Sequence, residues 1–467
     1  MLKNLKEFII GGKRLLPIFE GGKGIGISTG VTAGNFAVNG CVGTFSGVNP
    51  DTIDRNGKFV KVLLKARTRI ERHIEMLQNS INGIMAHARV AKEIAQNYGR
   101  IHMNVLWEMG GTERILDSAL AKLKGMVQGV VCGAGLPYRL GDICAKFKIN
   151  YFPIVSSMRA FRILWKKSFE RTRDWLGAVI YECPWRAGGH NGLSNSENPL
   201  VKGDTYVRTK ELRNFMNEAG LKNTFIVIAG GVWNLADYEN YLNSPDIGNV
   251  AFQFGTRPML TKESPISDEW KEMLLNLKPE DIRINSFSPT GFYSLAINNS
   301  FLRELFDRSS RQVGYSDLQT GEFSSRLVIS GNSTVFIREG DLEITNKWSN
   351  GDYTEIVKTP DRTILFLRPD ELEEMKRDMR SCCGCLSQCQ FSCWSQLAET
   401  HYSTGRIPDF RKICIQKALQ NAKNNENARR QLRFAGSEAY RFGIDPMYRN
   451  GHIPSIRELV EALVDGR

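Results

Sequence analysis

The feature that most constrains the fold is a regular alternation of short apolar segments with amphipathic ones. Between the apolar segments lie helical patterns such as TERILDSALAKLKG and TKELRNFMNEAG. Strands that alternate with helices in this way form parallel βαβ units. Six apolar segments read as strands: IHMNVLW (101–107), VQGVVCGAG (127–135), YFPIVSS (151–157), GAVIYECP (177–184), TFIVIAGG (224–231) and NVAFQFGT (249–256).

Two more glycine-bounded segments, near residues 25 and 42, bring the predicted strands to about eight. A helical pattern from Val60 to Tyr98 separates these two from the rest. Eight strand–helix units predict an α/β fold, a (β/α)8 TIM barrel, with a doubly wound sheet as the alternative. The barrel is favoured because glycines gather where the strands end, which is the face that carries barrel active sites.

The chain beyond the last of these strands changes character. Segment 265–317 is expected to supply helices that close the barrel, whereas 318–368 reads as β-hairpins and 370–380 as a helix. The stretch 417–433 reads as one solvated helix. We therefore expect three parts: a barrel (1–317), an inserted β-rich and Cys-rich module (318–407) and C-terminal helices that return to the barrel (408–467).

Composition excludes several classes of protein. With 42% hydrophobic and 24% charged residues, the chain is neither disordered nor collagen-like. The formal net charge is +12, but acids are interleaved with bases, which is typical of a mixed surface and not of a nucleic-acid-binding strip. No apolar run approaches the roughly 18 residues of a membrane span, and the apolar part of the basic start is too short for a signal peptide. We expect a cytoplasmic protein that binds neither nucleic acid nor a membrane.

Two glycine turns, AGGV (229–232) and QFGTR (253–257), follow the seventh and eighth predicted strands. In a barrel these two loops lie side by side and commonly bind phosphate through backbone N–H groups. Glycine suits this position because a Cβ would block the close approach of a phosphate. The turns therefore predict a phosphate site, and two tight turns without a ligand are the alternative.

A third glycine turn, AGGHNG (187–192), follows the strand GAVIYECP and contains a histidine. Imidazole is the usual general acid or base near neutral pH, and this loop would present it to the pocket. We therefore predict that His190 is catalytic, the alternative being a loop histidine that only hydrogen-bonds its neighbours. The other five histidines lack such a setting and read as structural: His73, His87, His102, His401 and His452.

Together these motifs resemble those of the nitronate monooxygenase family, formerly called 2-nitropropane dioxygenases, which includes flavin-dependent enoyl-acyl-carrier-protein reductases. The resemblance covers residues 24–264 and returns in 433–465. It implies a (β/α)8 barrel that binds FMN and an enzyme whose redox step takes place on the flavin. The matching pieces, in chain order, are GIGISTG, FAVNGCVGTFSG, HMNVLW, VVCGAGLP, AGGHNG, IAGGV, FQFGTRPMLTKES, LRFAGSEAYRFG and IPSIRELVEALV.

The resemblance also implies roles for individual residues. Asn104 would hydrogen-bond the edge of the flavin ring, Gly188 would line the flavin, and His190 takes the place of the family's catalytic histidine. The glycine turns after the seventh and eighth strands would hold the phosphate. The full set expected to bind FMN is Ile27, Ser28, Thr29, Asn104, Cys183, Gly188, Gly230, Gly231, Gln253, Phe254, Gly255 and Thr256.

The chain departs from the family pattern in three places. Its first loop, GIGIST, lacks the family's Pro-Met pair. Where the family reads Gln-Gly-x-Glu-Ala-Gly-Gly-His, Cys183 replaces a flavin-contacting glutamine and Arg186 replaces an acid. Arg186 is expected to favour an anionic substrate or a cofactor phosphate, with a salt bridge at the rim as the alternative. The long insertion is the third departure.

Several functions stay open at this level. The leading expectation is oxidation of alkyl nitronates through FMN and O2, with His190 deprotonating a nitroalkane or stabilising the anion. The runner-up is an NAD(P)H-dependent enoyl-thioester or quinone reductase. A flavin- or metal-binding partner protein without turnover is a third reading, favoured by the departures at Cys183 and Arg186. The expected ligand is a small molecule, and a homodimer is left open.

Five of the ten cysteines lie within residues 382–393. In a cytosolic chain such a cluster indicates a metal or redox site more than disulfides. Four thiolates suffice for zinc or an iron–sulfur cluster, and the x3 spacings align three of them if the segment is helical. No standard zinc or ferredoxin spacing matches, so redox-active thiols and plain buried cysteines stay open. The candidate ligands are Cys382, Cys383, Cys385, Cys389 and Cys393.

Overall fold

Eight parallel strands close into a barrel in the computed structural model, which describes residues 5–54, 57–194, 196–330, 333–397, 400–403, 406–423 and 427–467. The ring closes because the last strand pairs with the first, Phe252 opposite Ile18 and Gln253 opposite Phe19. The fold is therefore a (β/α)8 barrel and not a doubly wound sheet. The strands are β1 (Ile18–Glu20), β2 (Val42–Ser46), β3 (Arg100–Leu106), β4 (Gly129–Gly133), β5 (Asn150–Val155), β6 (Ala178–Glu182), β7 (Phe225–Ala229) and β8 (Val250–Phe254).

The amino end of the barrel is closed by an N-terminal hairpin of Phe8–Ile10 and Lys13–Leu15. Phe8 is fully buried and its ring lies edge-on to Phe19 at 5.1 Å and to Phe225 at 4.7 Å. Apolar side chains fill the barrel interior above it, which explains why the strands read as nearly continuous hydrophobic runs. The open face of the barrel is therefore its carboxyl end.

Helices surround the barrel as the alternation predicts. The long helix after β2 begins at Thr68, whose side chain accepts a hydrogen bond from the Glu71 backbone, and it is shorter than the predicted 60–98 segment. The first seven helices are α1 (Gly30–Val38), α2 (Arg69–Ala95), α3 (Thr112–Lys122), α4 (Leu140–Lys146), α5 (Met158–Lys167), α6 (Thr205–Glu218) and α7 (Glu239–Leu242). The later helices are α8 (Asp268–Leu275), α9 (Ser300–Ser310), α10 (Leu342–Asn350), α11 (Pro369–Arg380), α12 (Ile415–Lys423) and α13 (Ile456–Val464).

Helix α13 takes the eighth place in the ring. It packs against α1, and its buried residues Ile456, Leu459 and Leu463 share one core with Phe36 and Ala37. The last helix thus packs against the first helix of the barrel. Within the described residues, no helix combines the length and the apolarity that crossing a bilayer requires.

The segments between α8 and α13 differ from the sequence expectations. Besides α8 and α9, segment 265–317 contains the strands Ile282–Asn285 and Ser294–Ile297, which form a sheet with Gly189–His190.

The remaining strands are Thr52–Ile53, Phe59–Val60, Gln312–Gly314, Ser325–Ser330, Ser333–Ile337, Glu355–Lys358, Thr363–Leu367, Gln388–Cys389, Trp394–Leu397 and Thr400–Ser403.

Two antiparallel strand pairs, Ser325–Ser330 with Ser333–Ile337 and Glu355–Lys358 with Thr363–Leu367, confirm most of the hairpin prediction for 318–368. One part of that prediction and two other local predictions were wrong. Helix α10 lies inside the segment predicted as hairpins, because Trp348 packs on Phe366 at 5.1 Å and this packing outweighs β propensity. The first strand is β1, whereas the residues near position 25 form a turn. The predicted helix 417–433 ends with α12 at Lys423, and Arg433 farther on is fully buried, with its guanidinium 4.5 Å from the Trp270 ring.

Candidate functional site

A cavity of about 340 Å³ lies at the carboxyl end of the barrel. Its floor is formed by the strand ends and their loops, and its cover comes from Phe292, Leu419, Leu432 and Phe434. Nine residues singled out from the sequence line it together: Ile27, Asn104, Gly188, His190, Gly230, Gly231, Gln253, Gly255 and Thr256. The structure therefore gathers most of the predicted site at one place.

Four other predicted residues stand behind this lining and support it. Ser28 accepts a hydrogen bond from the Lys23 backbone at 2.9 Å, and Thr29 caps the start of α1. Cys183 is almost fully buried and accepts a hydrogen bond from the Thr205 hydroxyl at 3.3 Å, on the side away from the cavity. Phe254 is fully buried in the core between the barrel and its helices.

Two side-chain amides on barrel strands face the cavity without a protein partner. Asn104 on β3 is 5% exposed and Gln253 on β8 is 7% exposed. Within the described residues, neither amide makes a hydrogen bond, although buried amides nearly always do. Asn104 also lies against Gly22, where a Cβ would come within 2.3 Å of the asparagine Cγ. A bound group with both donors and acceptors along one edge would satisfy these two amides.

The glycine turns after β7 and β8 lie at the same wall of the cavity. Gly230 and Gly231 have φ values of +83° and +76°, a left-handed region that favours glycine. A Cβ at Gly255 would meet nothing within 4 Å, so there is open space in front of this turn. Among the described residues, the backbone N–H groups of Gly231, Gly255 and Thr256 donate to no acceptor. This cradle fits an anion such as a phosphate.

A buried salt bridge behind the cradle fixes both turns. Arg257, after β8, is 1% exposed and its Nη2 lies 3.0 Å from Asp445 Oδ2. The same guanidinium donates to the Trp233 carbonyl at 2.6 Å, and Trp233 Nε1 donates to Asp445 at 2.8 Å. Arg257 therefore joins the two loops to each other and to the C-terminal segment.

His190 lies on the short strand Gly189–His190 at the cavity wall. Its Nε2 is 2.6 Å from Ser288 Oγ, and its ring lies edge-on to Phe434 at 5.5 Å. Burial lowers the pKa of His190 to about 4, so the imidazole is neutral at pH 7. A neutral imidazole offers one N–H donor and one acceptor nitrogen.

Glu182 is a cavity residue that the sequence reasoning missed. It ends β6 one position before Cys183, and because side chains alternate along a strand only one of the two can face the cavity. Glu182 has no hydrogen-bond partner within the described part of the chain, and burial raises its pKa to about 7. Side chains alternate between the two faces of β6, and counting this alternation from its apolar residues would have shown that Glu182 faces the cavity.

A second missed group is the buried ion pair of Lys23 and Glu20 at the cavity floor. Their charged atoms are 2.7 Å apart, and the side chains are 7% and 0% exposed. Glu20 also accepts a hydrogen bond from the Thr44 backbone at 3.2 Å, so Lys23 is held at the cavity by a fixed acid. A lysine in a glycine-rich loop after β1 was the available sequence signal.

Arg186 does not line the cavity. Its Nη2 pairs with Glu438 Oε1 at 3.0 Å, and both side chains are partly exposed. Gly231 lies against this arginine, since a Cβ there would be 2.6 Å from its Nε. The rim salt bridge that the sequence left as an alternative is therefore the arrangement observed, and Glu438, not Arg186, reaches the cavity.

The cover of the cavity comes from far along the chain. The Phe434 segment pairs with Ala296, and the Gly436 N–H donates to Thr256 Oγ1 at 2.9 Å. Gly188 lies directly beneath, where a Cβ would be 2.5 Å from the Ala435 carbonyl carbon. The only sequence signal was the matching LRFAG motif, which indicated a return of the chain but not its place over the site.

The cysteine cluster is not helical, so the expected alignment of its x3 spacings is absent. Cys389 lies in a short strand, and Cys393 has a φ of +51°. The described residues include all ten cysteines, and no disulfide bond joins any two of them. In the described ranges, which include residues 382–393, no three His, Cys, Asp or Glu side chains are grouped to hold a metal ion. The geometry therefore does not support the expected zinc or iron–sulfur site.

The donor set fits FMN. The unpaired N–H groups of the cradle suit its phosphate, and the amides of Asn104 and Gln253 suit the polar edge of a flavin ring. A (β/α)8 barrel with this donor set at its carboxyl end is what a flavin-dependent oxidoreductase requires.

The family follows from comparison with known proteins. The profile of the nitronate monooxygenase family matches residues 10–360, and the chain belongs to this family. The protein is therefore an enzyme, and the reading as a binding protein without turnover is set aside. No curated protein matches the chain significantly.

Two solved structures, FabK and the enoyl reductase domain of MlnA, agree with the fold. FabK from Thermotoga maritima has 15% sequence identity, covers 96% of this chain and 92% of its own, and gives a TM-score of 0.51. The enoyl reductase domain of MlnA from Bacillus amyloliquefaciens has 13% identity, coverages of 97% and 93%, and a TM-score of 0.56. A nitroalkane oxidase from Streptomyces ansochromogenes has 17% identity, coverages of 62% and 78%, and a TM-score of 0.45.

Proposed function

We propose that the protein is an FMN-dependent nitronate monooxygenase that acts on preformed alkyl nitronates in the cytoplasm. The observation that carries the proposal is His190, a neutral imidazole at the wall of a cavity suited to FMN. When bound, FMN supplies the redox chemistry of the reaction with O2.

The cradle residues would hold the cofactor and leave the far side of the cavity to the substrate. Gly231, Gly255 and Thr256 would donate backbone N–H groups to the FMN phosphate. Asn104 and Gln253 would hydrogen-bond the polar edge of the ring. These five contacts orient the cofactor without any large movement of the barrel, because each comes from a strand or the turn that follows it.

The role of His190 follows from its protonation state. An imidazole with a pKa of about 4 is too weak a base to remove a proton from the carbon of a neutral nitroalkane. Its N–H can, however, donate a hydrogen bond to an oxygen of a nitronate that is already an anion. Ser288, 2.6 Å from Nε2, holds the ring in place. A neutral His190 therefore suits the nitronate better than its conjugate acid as the substrate.

The cover of the cavity sets the surroundings of the substrate. Phe434, Leu432 and Phe292 present apolar surface and exclude water from the site. This surface suits an alkyl chain, while the lower dielectric strengthens the hydrogen bond from His190 to an anionic oxygen.

Oxygen consumption tests the proposal. The FMN-loaded protein should oxidise propyl-2-nitronate at pH 7.5 and should turn over 2-nitropropane at least about 100-fold more slowly. His190→Ala should lower kcat/KM for the nitronate by about 100-fold and leave FMN bound. His452→Ala, at an exposed histidine that does not line this cavity, is the matched control. Equal rates on both substrates would contradict the assigned role of His190.

Glu182 favours a second candidate, an NAD(P)H-dependent enoyl-thioester reductase. A carboxyl group with a pKa of about 7 carries a proton at neutral pH and can deliver it to the α carbon while the β carbon accepts a hydride. The enoyl reductase domain of MlnA, whose similarity extends over nearly the whole chain, supports this candidate.

An anaerobic visible spectrum separates the two candidates. Bleaching of the flavin bands by NADH or NADPH, and their return on adding an enoyl thioester, would favour the reductase. Bleaching by propyl-2-nitronate alone would favour the monooxygenase. Glu182→Gln should slow only the enoyl-thioester step, since FMN reduction by the nicotinamide requires no proton on this side chain.

A further inference from the structure

A hairpin loop carries the hydroxyl groups nearest to the imidazole of His190. It joins the strands Ile282–Asn285 and Ser294–Ile297, and the second of these pairs with the short strand that contains His190. The loop is also held from outside, because the Pro289 carbonyl accepts a hydrogen bond from the Gln390 N–H at 3.0 Å. His190 and the loop are therefore fixed relative to each other.

Three hydrogen bonds link the backbone of this loop to the imidazole. The Phe292 N–H donates to Thr290 Oγ1 at 3.2 Å. Thr290 Oγ1 lies 2.9 Å from Ser288 Oγ, which in turn lies 2.6 Å from His190 Nε2. The Thr290 N–H also points to Ser288 Oγ, at 3.4 Å. Ser288 is 3% exposed, so the hydroxyl between the threonine and the imidazole is shielded from solvent.

The direction of donation along this chain follows from its first member, because a backbone N–H only donates. Thr290 Oγ1 accepts from the Phe292 N–H, and within the described residues Ser288 Oγ is the acceptor left for its own hydrogen. Ser288 Oγ thus accepts from Thr290, and its hydrogen goes to His190 Nε2. The reverse order would leave the Thr290 hydroxyl without an acceptor in the described part of the protein.

We propose that Ser288 and Thr290 are positioning residues that fix the tautomer of His190 with its proton on Nδ1. Because Nε2 accepts the hydrogen bond from Ser288, the neutral ring carries its one N–H at Nδ1. Nδ1 makes no hydrogen bond within the described residues, and His190 lines the cavity. This N–H is therefore the group that His190 offers to a bound molecule.

A ring held in one tautomer selects its ligand by the type of hydrogen bond. An Nδ1–H needs an acceptor, so it suits an oxygen that carries no proton, such as a nitronate oxygen or a thioester carbonyl. In the other tautomer Nδ1 would present a lone pair, which repels such an oxygen. This role rests on the proposed function, because His190 must lie at the substrate, but both candidate reactions present an oxygen of this kind.

Nitrogen-15 NMR of the FMN-loaded protein at pH 7.5 tests the tautomer directly. The histidine rings are labelled with nitrogen-15, and the His190 signals are identified by their loss in His190→Gln. Protonated and unprotonated ring nitrogens resonate in separate ranges, and couplings to the ring protons distinguish Nδ1 from Nε2. The wild type should show a protonated Nδ1 and an unprotonated Nε2. The spectrum needs no turnover, so a failure of the proposed function, seen as no O2 consumption with propyl-2-nitronate, is distinguishable from a failure of this assignment.

Variants of the loop show whether it sets the tautomer. Ser288→Ala removes the donor to Nε2, so most molecules should carry the proton on Nε2. FMN should stay bound, and kcat/KM for propyl-2-nitronate should fall about tenfold, the value of one lost hydrogen bond. Thr290→Val, which keeps the shape but lacks the hydroxyl, should give a mixture of tautomers, whereas Thr290→Ser should keep the wild-type one. Ser286→Ala, at an exposed serine of the same loop, is the matched control for the spectrum.

Two results would overturn the proposal. A protonated Nε2 in wild-type His190 would do so without the need for any variant. A folded Ser288→Ala protein with the wild-type His190 spectrum would do so as well, since Ser288 would then not decide where the proton lies. Circular dichroism checks that each variant is folded.

Discussion

Two buried arginines at the amino end of the barrel differ in their hydrogen-bond partners from three polar side chains that face the cavity at its carboxyl end. At the amino end, Arg213 is 2% exposed and donates to the carbonyls of Ile247, Thr224 and Asn249 at 2.6, 2.9 and 3.1 Å. Arg100 likewise donates to the Gln128 carbonyl at 2.7 Å. At the carboxyl end, Asn104, Gln253 and Glu182 are buried or half-buried, and within the described residues they have no such partners.

This difference separates stability from function within one barrel. A buried polar group that finds its partners in the protein contributes to folding, whereas one left without them costs free energy until a ligand arrives. The amino end therefore holds the strands in place, and the carboxyl end keeps donors and acceptors available. The comparison predicts that removing a polar group destabilises the protein at one end and does not at the other.

The largest expected effect is at the amino end. Arg213→Met should lower the free energy of unfolding by roughly 4 kcal/mol, because several buried carbonyls lose their donor. Urea unfolding of the protein without FMN measures it. The exposed Arg89→Met on α2 is the matched control and should change stability by less than about 0.5 kcal/mol. An equal loss in both variants would remove the basis of the comparison.

At the carboxyl end, Glu182→Gln should raise the free energy of unfolding instead of lowering it, and the size of the increase should depend on pH. Its pKa is raised from 4.5 to about 7 in the fold, so the folded state holds the proton more tightly than the unfolded state. Stability from this group is present below pH 4.5 and is lost as pH rises through 7. The variant should therefore match the wild type at pH 4 and exceed it by about 2 kcal/mol at pH 8.

Urea unfolding of the FMN-free protein at several pH values measures this difference. The exposed Glu218→Gln at the end of α6 provides a control without burial. If the free energies of unfolding of Glu182→Gln and the wild type differed by the same amount at every pH, burial of an ionised Glu182 would not destabilise the protein.

The smallest expected effect on stability is that of Asn104→Ala, which should instead weaken the binding of FMN. Asn104→Ala should leave the stability of the FMN-free protein within about 0.5 kcal/mol of the wild type, since its amide has no protein partner. It should weaken FMN binding about tenfold, the value of one lost hydrogen bond to a ligand. Quenching of FMN fluorescence measures the Kd. A loss of stability without a loss of affinity for FMN would show that Asn104 stabilises the barrel and does not bind the cofactor.

The barrel could be predicted from the sequence because its signal is local and repeated. Each strand is a short apolar run and each helix has its own periodicity, so β3 to β8 lie inside the predicted segments to within one residue at their starts. The glycine turns of the cradle were also visible, because a left-handed φ, as at Gly230 and Gly231, restricts the choice of residue.

The parts that were missed depend on contacts between distant segments. Glu182 and Cys183 are adjacent in sequence, and only the register of β6 decides which of them faces the cavity. Helix α10 is stabilised by packing of Trp348 on Phe366, which β propensity does not reveal. The cover of Leu432 and Phe434 lies nearly two hundred residues beyond β8, so its place over the site is a property of tertiary structure.

The position of α13 has a consequence for biosynthesis. Its partner in the ring, α1, emerges from the ribosome early, whereas Ile456–Val464 emerges more than four hundred residues later. At roughly 5–20 residues per second, the nascent chain waits at least about 20 s with this flank of α1 uncovered. The part of α1 that α13 covers is therefore exposed during translation, and it is a surface on which a chaperone would act.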